Sequence, residues 1–133
     1  MSLIRIIIGV LILNCSQFAF AAESSVEIKK LLSVTFDKPN NPVISDPIAV
    51  VGGYAIADWV QGEKGGRALL IKDAAGWRVL ACGGVGLVNV ENLKSSQIPE
   101  KTAQTLVLLL SEKEKMMPAE KLKLIDAFQS RKH

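Results

Sequence analysis

The chain has 133 residues, with 16 Lys and Arg against 13 Asp and Glu, and 49% of its residues are hydrophobic. This length and composition fit one ordinary globular domain that can bury an adequate core. The nearly balanced charge lacks the concentrated basic stripe of nucleic-acid binders, so we predict no nucleic-acid partner.

The first 21 residues are typical of a secretory signal peptide. Arg5 supplies the positive start, Ile6 to Leu13 form the apolar run, and Ala19-Phe20-Ala21 is a small-x-small cleavage site. The apolar run is about half the roughly 20 residues that a membrane span needs, so we expect no stable span after cleavage. A lipid anchor at Cys15 is the alternative, because this cysteine lies late in the segment.

This segment predicts a periplasmic protein, with a signal peptide at residues 1–21 and a single domain at residues 22–133. Cleavage would leave Cys82 as the one cysteine of the mature chain. An exported domain with one thiol has no internal disulfide, so its core must hold it together unaided.

A helix is predicted at the start of the mature domain. Ser24 or Ser25 can cap it, and apolar residues from Val26 to Phe36 recur at helical spacing. The helix should stop before Pro39, and the stretch from Asp37 to Pro47, rich in Pro and Asn, is predicted to be a loop.

Four apolar runs joined by glycine-bearing turns predict an antiparallel meander. The runs are Ile48 to Val51, Tyr54 to Gln61, Arg67 to Lys72 and Trp77 to Cys82. Gly52-Gly53 is a two-residue hairpin signal, and each of the other two loops would hold about four residues. Loops this short force neighbouring strands to be antiparallel.

These loop lengths also predict a register. The expected pairs are Trp59 with Ala68, Leu70 with Val79, and Lys72 with Trp77. Successive residues of a strand point to opposite sides, so one side of the sheet would carry both tryptophans. The other side would carry Asp58, Arg67 and Cys82. Neither side is polar enough to face water, so helices or a second subunit should cover both.

Two to three helices should follow the sheet. Leu87 to Lys94 is weakly helical, Glu100 to Met116 is a stronger helix, and a last helix begins at Pro118. Leu106 to Leu110 is apolar all round, so we expect the centre of the stronger helix to be well buried. The predicted fold class is α+β: a four-stranded antiparallel meander with an N-terminal helix and two to three C-terminal helices packed on it.

The titratable residues argue against catalysis. The only histidine is the terminal His133, where a chain end cannot hold a base in place. Asp58 and Glu63 form a carboxylate pair near one hairpin end, but Asp58 can pair with Arg67 and Glu63 suits a solvated turn. The glycine-rich loops lack the spacing of phosphate-binding or dinucleotide-binding motifs. We therefore predict that the protein is not an enzyme.

Cys82 is the candidate metal ligand. It ends a strand just before glycines and a predicted helix, where amide groups would lower its pKa. A thiolate favours copper in the reduced state. The alternative is a small buried side chain, which free cysteines usually are. The candidate binding residues are Trp59, Gln61, Arg67 and Trp77, although core packing and an ion pair explain the tryptophans and the arginine as well.

One motif of tryptophans, glycines, an arginine and a cysteine spans the centre of the chain. It reads Trp59-x-Gln61-Gly62-x-x-Gly65-Gly66-Arg67-Ala68-Leu69-Leu70, then Gly76-Trp77-x-Val79-x-x-Cys82-x-Gly84, with Ile98-Pro99, Pro118-Ala119-Glu120 and Phe128 further on. The motif resembles that of the copper uptake system-associated proteins, a family of small exported bacterial proteins. The resemblance implies a link to copper handling in the bacterial envelope and supplies no catalytic residues. The chain departs from the family pattern at Gly83, where a serine is expected, and in its lysine-rich end.

Together, the resemblance and the signal segment predict a periplasmic accessory protein of copper uptake and handling. His and Met are scarce, so we expect it to act mainly by contact with an envelope copper transporter or a copper carrier protein, with one weak copper site at Cys82. Two alternatives remain open. A helix followed by a curved meander also resembles cystatin-like and nuclear-transport-factor-like folds, in which Trp59 and Trp77 would line a pocket for an apolar ligand. The third reading is a self-associating module that buries one sheet side in a homodimer.

Overall fold

The computed structural model describes residues 2–128, with side chains from residue 19 onward. One helix leads into four strands, and a 3-10 turn and three helices follow. The elements are α1 (Ser2–Phe36), β1 (Ile44–Val51), β2 (Tyr54–Gln61), β3 (Lys64–Asp73), β4 (Gly76–Gly83), the 3-10 turn (Val85–Val88), α2 (Val90–Ser95), α3 (Glu100–Glu114) and α4 (Ala119–Asp126). The predicted α+β class is confirmed, while the Cys15 side chain and His133 lie outside the described residues.

The four strands form one antiparallel sheet in the order β1-β2-β3-β4, which confirms the meander. The expected pairs of Leu70 with Val79 and of Lys72 with Trp77 are present. The third expected pair is wrong, because Trp59 lies opposite Gly66. The β2–β3 hairpin closes with a two-residue loop, in which Gly62 takes a φ of 63°. The observed β2–β3 register differs from the predicted one by two residues. Because an even shift keeps the alternation, the side chains of β2 and β3 lie on the predicted sides of the sheet.

A bulge in β4 moves Cys82 to the side opposite the predicted one. Leu69 pairs with Ala81 and Leu70 pairs with Val79, so Leu80 is an extra residue on β4. Beyond the bulge Cys82 pairs with Ala68, on the side of the sheet that carries both tryptophans. One inserted residue reverses the alternation of side chains, and glycine positions give no sign of it.

β1 starts earlier than expected, and the predicted loop from Asp37 to Pro47 is wrong over its last residues. The strand begins at Ile44, and its register shifts between Ser45 and Ile48. Pro47 lies within this shift, after a cis peptide bond. An edge strand tolerates proline at a bulge because no ladder hydrogen bond is needed there.

Helices cover both sides of the sheet, as predicted. On the tryptophan side, Ile28 and Leu32 of α1 pack on a buried layer of sheet residues that includes Ala57, Leu70 and Trp77. On the other side, residues of α2 and α3 pack against Ile56 and Leu69. The sheet is therefore the middle layer between α1 and the two helices α2 and α3.

α1 begins far upstream of the predicted cap. It is continuous through Ser24, which is buried in the helix at 1% exposure and is not its first residue. The apolar segment before it continues the helix without a break, so neither serine needs to cap a terminus. Among the described residues, none of the helices combines the length and the apolar character needed to cross a membrane.

α3 buries one stripe and exposes another, so the prediction of a well buried centre is confirmed on one side of the helix and wrong on the other. Leu106 and Leu110 are completely buried, whereas Leu108 is 62% exposed and Leu109 is 38% exposed. The helix packs on the sheet through one side only, and the leucines that point away from it meet solvent.

α4 lies with its backbone directly on β3. A Cβ atom at Gly65 would lie 2.9 Å from the carbonyl carbon of Leu124, and one at Gly66 would lie 2.7 Å from the Phe128 ring. Only glycine permits this close approach, and it brings Ile125 to complete burial against the sheet.

Candidate functional site

An open cleft of about 1440 Å³ lies on the tryptophan side of the sheet, and we call it the aromatic cleft. The last turns of α1 form one wall, and the residues from Leu124 to Phe128 form the other. The β2–β3 hairpin closes one end, while Ala68 and Cys82 lie between the walls. Small-molecule pockets usually measure about 300–1,000 Å³, so this cleft is large enough for a segment of another protein.

Trp59 and Phe128 meet inside the aromatic cleft. Their ring centroids are 6.1 Å apart, with an angle of 83° between the planes, which is the edge-to-face arrangement that aromatic pairs favour. Gly66 lies beneath both rings and leaves the space that they occupy. The predicted binding residue Trp59 is thus half-buried in the cleft and held by a residue from the far end of the chain.

Gln61 also lines the cleft, and its side-chain amide nitrogen is hydrogen-bonded to the backbone. That nitrogen donates hydrogen bonds to the carbonyl oxygens of Phe36 at 2.8 Å and Asn41 at 3.0 Å. Phe36 ends α1, so Gln61 satisfies a carbonyl group that the helix itself leaves free. The side chain therefore fixes the rim of the cleft by joining the β2–β3 hairpin to α1.

Cys82 is the only free cysteine among the described side chains, and its thiol is exposed to solvent. The alternative of a small buried side chain is therefore wrong. The expected lowering of its pKa is also wrong, because partial burial in the cleft raises the pKa of the thiol. Water reaches the sulfur atom, but the surrounding wall disfavours the charged form. Cys82 is accordingly a protonated thiol at neutral pH.

Trp77 shares the side of the sheet with Trp59 but does not line the cleft. It lies beneath α1 with 9% of its surface exposed, and its indole nitrogen has no hydrogen-bond partner among the described residues. The Lys72 ammonium is 5.9 Å from the centre of its ring. α1 therefore fills the part of the sheet where the two tryptophans would have formed one apolar pocket.

Arg67 lies on the opposite side of the sheet, at the centre of a charge cluster that we define as Asp58, Arg67, Glu114 and Asp126. Three of its members are largely buried, and the Asp126 side chain is 42% exposed. Its guanidinium donates to both oxygens of Glu114, from Nε at 3.0 Å and from Nη2 at 3.1 Å. Nη2 is also 2.8 Å from Asp126 Oδ1, and Nε is 3.4 Å from Asp58 Oδ1. With 1% of its surface exposed, Arg67 joins α3 and α4 to the sheet and offers nothing to a ligand.

The balance of charge in this cluster decides the state of Asp58. Three ionised carboxylates around one guanidinium would leave two excess negative charges, and the Asp58 carboxylate would be completely buried. Ionised Asp58 has no hydrogen-bond donor for either oxygen, whereas protonated Asp58 can donate to Glu114. Burial first, and then the hydrogen bond to Glu114 and its charge, raise the pKa of Asp58 to about 8, against the opposing effect of Arg67. Asp58 is therefore neutral at pH 7.

The same environment keeps Arg67 charged. Burial alone lowers the pKa of the guanidinium, but its hydrogen bond to Asp126 and the charge of Glu114 outweigh burial, so the pKa is raised. In the part of the chain with described side chains, no three His, Cys, Asp or Glu residues are placed to hold a metal ion together. The charge cluster thus connects α3 and α4 to the sheet, and Cys82 is the sulfur-containing residue among those that line the aromatic cleft.

Comparison with known proteins finds no match: no family model, no curated protein and no solved structure is significantly similar to this chain. The likeness to copper uptake system-associated proteins stays a prediction from the motif. Within the structure, that motif supplies Trp59, Gln61 and Cys82 to the aromatic cleft and Arg67 to the charge cluster.

Sequence reasoning missed two members of the charge cluster. The pairing of Asp58 with Arg67 was expected, and the two residues lie directly opposite each other on β2 and β3. Glu114 and Asp126 come from separate helices, and nothing in their local patterns distinguishes them from solvated charges.

Proposed function

We propose that this protein is an exported accessory protein of bacterial copper handling, and that it acts by contact with an envelope copper transporter or a copper carrier protein at the aromatic cleft. The observation that carries the proposal is the size and make-up of the cleft. It is larger than a small-molecule pocket and presents three aromatic side chains, Phe36, Trp59 and Phe128, together with the exposed Cys82. Aromatic residues are enriched at protein interfaces, because they bury a large area at low entropic cost.

The rim of the cleft fits a protein partner better than a charged small ligand. Asp37 and Glu63 are balanced by Lys38 and Lys64, so neither sign of charge dominates. Contacts of both signs around an apolar centre are the usual composition of an interface between proteins.

Within this contact site, Cys82 is the residue that would bind copper. A lone thiol is a soft ligand for Cu(I), but it must lose its proton first, and its raised pKa makes that loss costly. Cys82 on its own would therefore bind weakly, and further ligands would have to come from the partner. A shared, transient site of this kind suits an accessory protein that contacts a carrier.

Photo-cross-linking in intact cells tests the contact. A benzophenone amino acid replacing Phe36, which is 39% exposed at the cleft, is expected to cross-link to an envelope copper transporter or carrier. The same group replacing Leu108, which is 62% exposed on α3, is the control and should give no such product. Equal products at both positions would contradict the proposal. Products between two copies at Phe36 would favour the self-associating module instead.

Titration of the reduced full chain with Cu(I), against a competing chelator, tests the metal site. A Cys15→Ser background leaves Cys82 as the only thiol, and Cys82→Ser is expected to abolish the binding. Ala81→Ser, which adds a hydroxyl on the other side of the sheet, should leave it unchanged. Equal and negligible binding with and without Cys82 would remove the metal site and leave partner contact alone.

The second candidate function is the binding of a small apolar ligand. Trp77 is packed beneath α1, so only the Trp59 end of the tryptophan side is open to a ligand. Retention of an apolar small molecule at that end, without any cross-linked protein, would favour this candidate.

A further inference from the structure

We infer that two copies of this chain bind each other through the outward side of α3, with the two helices antiparallel. We call this surface the leucine face and define it as Lys101, Thr105, Leu108, Leu109 and Glu112, all of which are exposed. Helices cover both sides of the sheet, so the surface available to a second copy is a helix face and not a sheet side. The leucine face is separate from the aromatic cleft, which lies across the sheet from α3.

The centre of α3 is apolar all round, although the sheet covers only one side of it. Leu106 and Leu110 are completely buried against the sheet. On the leucine face, Leu108 is 62% exposed and Leu109 is 38% exposed. A helix that is hydrophobic all round is usually buried all round, and a second apolar surface over the leucine face would complete that burial.

The charges of the leucine face are complementary to a second copy of the same face. Lys101, Thr105, Leu108 and Glu112 follow one another at helical spacing, so they form a single stripe with a cation at one end and a carboxylate at the other. Two antiparallel copies related by a two-fold axis place Lys101 of each copy beside Glu112 of the other. In a parallel pair, like charges would meet at both ends. Glu112 also pairs with Lys115 of its own helix, but both side chains are more than half exposed, so this contact is weak.

The same alignment brings the exposed leucines together. With Lys101 level with Glu112 of the other copy, Leu108 is level with Thr105 of the other copy. The two Leu108 residues are then about 4.5 Å apart along the helix axis, since a helix rises about 1.5 Å per residue. Thr105 is small, so it allows the helices the interaxial distance of about 8–10 Å at which leucines interdigitate.

The length of α3 sets the strength of the dimer. The helix has 15 residues and is therefore about 22 Å long. One helix pair of this length buries less than the roughly 1,200 Å² at which stable interfaces begin. The dimer is accordingly reversible, with a dissociation constant of about 10–100 μM.

Pairing through the leucine face leaves both aromatic clefts open. α3 packs on the side of the sheet that carries Ile56 and Leu69, whereas the cleft lies on the tryptophan side. The dimer therefore presents two clefts that point away from the joint between the copies. A partner that offers two binding segments would be held by both clefts, which raises its apparent affinity without any new contact in either cleft.

Sedimentation equilibrium of the full chain, from about 1 μM to about 1 mM, tests the dimer. Leu108→Glu places a charge at the centre of the contact and is expected to raise the dissociation constant by about tenfold or more. Leu80→Glu is the matched control, because Leu80 is a leucine of β4 that is 40% exposed, and it should leave the dissociation constant unchanged. A chain that is monomeric over the whole range, or a dimer that Leu108→Glu leaves intact, would overturn the inference.

Charge reversal tests the antiparallel arrangement. Lys101→Glu and Glu112→Lys each bring like charges together at both ends of the contact, so each is expected to raise the dissociation constant by about fivefold or more. The double variant restores opposite charges and should return to the wild-type value. Both side chains are exposed, and each new charge suits its end of the helix dipole, so α3 itself is not weakened. A double variant that dimerises no better than the single ones would refute the antiparallel pair.

The dimer and the proposed function fail separately. A chain that stays monomeric but is cross-linked to a copper carrier at Phe36 would refute the dimer and leave the proposed function in place. A dimer that is cross-linked to no carrier or transporter would do the reverse. A product between two copies at the Leu108 benzophenone would support the dimer, and its mass distinguishes it from a product with a carrier.

Discussion

Replacing Arg67 with alanine is expected to lower the free energy of unfolding by about 3–5 kcal/mol, because it leaves buried carboxyl groups without their cation. Glu114 would lose two hydrogen bonds and Asp126 would lose its contact at 2.8 Å. The free energy of unfolding of domains is typically about 5–15 kcal/mol, so this loss would be a large fraction of the total stability. Urea denaturation, compared at equal m-values, measures the change.

Arg78→Ala is the matched control. Arg78 lies on the neighbouring strand and pairs with Asp73 at 2.9 Å, with 56% and 43% of the two side chains exposed. Exposed pairs of this kind contribute little, so its denaturation midpoint should stay close to that of the wild type. Similar midpoints for the two variants would show that the buried cluster does not hold the helices to the sheet.

Gly65→Ala is expected to destabilise the protein by about 1–3 kcal/mol, the usual cost of forcing extra atoms into a packed place. Its Cβ would lie 2.9 Å from the carbonyl carbon and 3.0 Å from the carbonyl oxygen of Leu124, so α4 would have to move as a unit. The stability of the variant is measured by thermal unfolding, and the displacement of α4 by hydrogen exchange.

Two other glycines show whether the backbone contact is the cause. At Gly53 a Cβ would be 3.5 Å from its nearest atom, an ordinary contact, so Gly53→Ala should leave stability nearly unchanged. At Gly66 it would meet the side chains of Phe128 and Trp59, which can shift, so Gly66→Ala should alter Trp59 fluorescence more than stability. A Gly65→Ala protein as stable as Gly53→Ala would argue against close packing of α4 on β3.

The strand order could be predicted from the sequence because it depends on local chemistry. Gly52 and Gly62 both take positive φ in tight turns, and apolar runs between such turns leave little choice but a meander. Coverage of both sides could be predicted as well, since neither side was polar enough for water. These features follow from residues that are close together in the chain.

The features that build the site depend on long-range packing and could not be predicted. The bulge at Leu80 places Cys82 on the side of the sheet that faces the cleft, yet no glycine or proline in the sequence indicates a bulge there. Glu114 and Asp126 reach Arg67 only after α3 and α4 have packed on the sheet. The exposure of Leu108 likewise depends on which side of α3 meets the sheet, and an all-apolar run carries no information about that.

The position of Phe20 would give the predicted cleavage a structural consequence. Its ring lies 5.1 Å from the Lys72 ammonium, which also lies over Trp77. Phe20 comes just before the predicted cleavage after Ala21, so processing would take away one of the two aromatic rings around this lysine. Precursor and processed protein would then differ in the environment of Lys72, next to the β3–β4 turn.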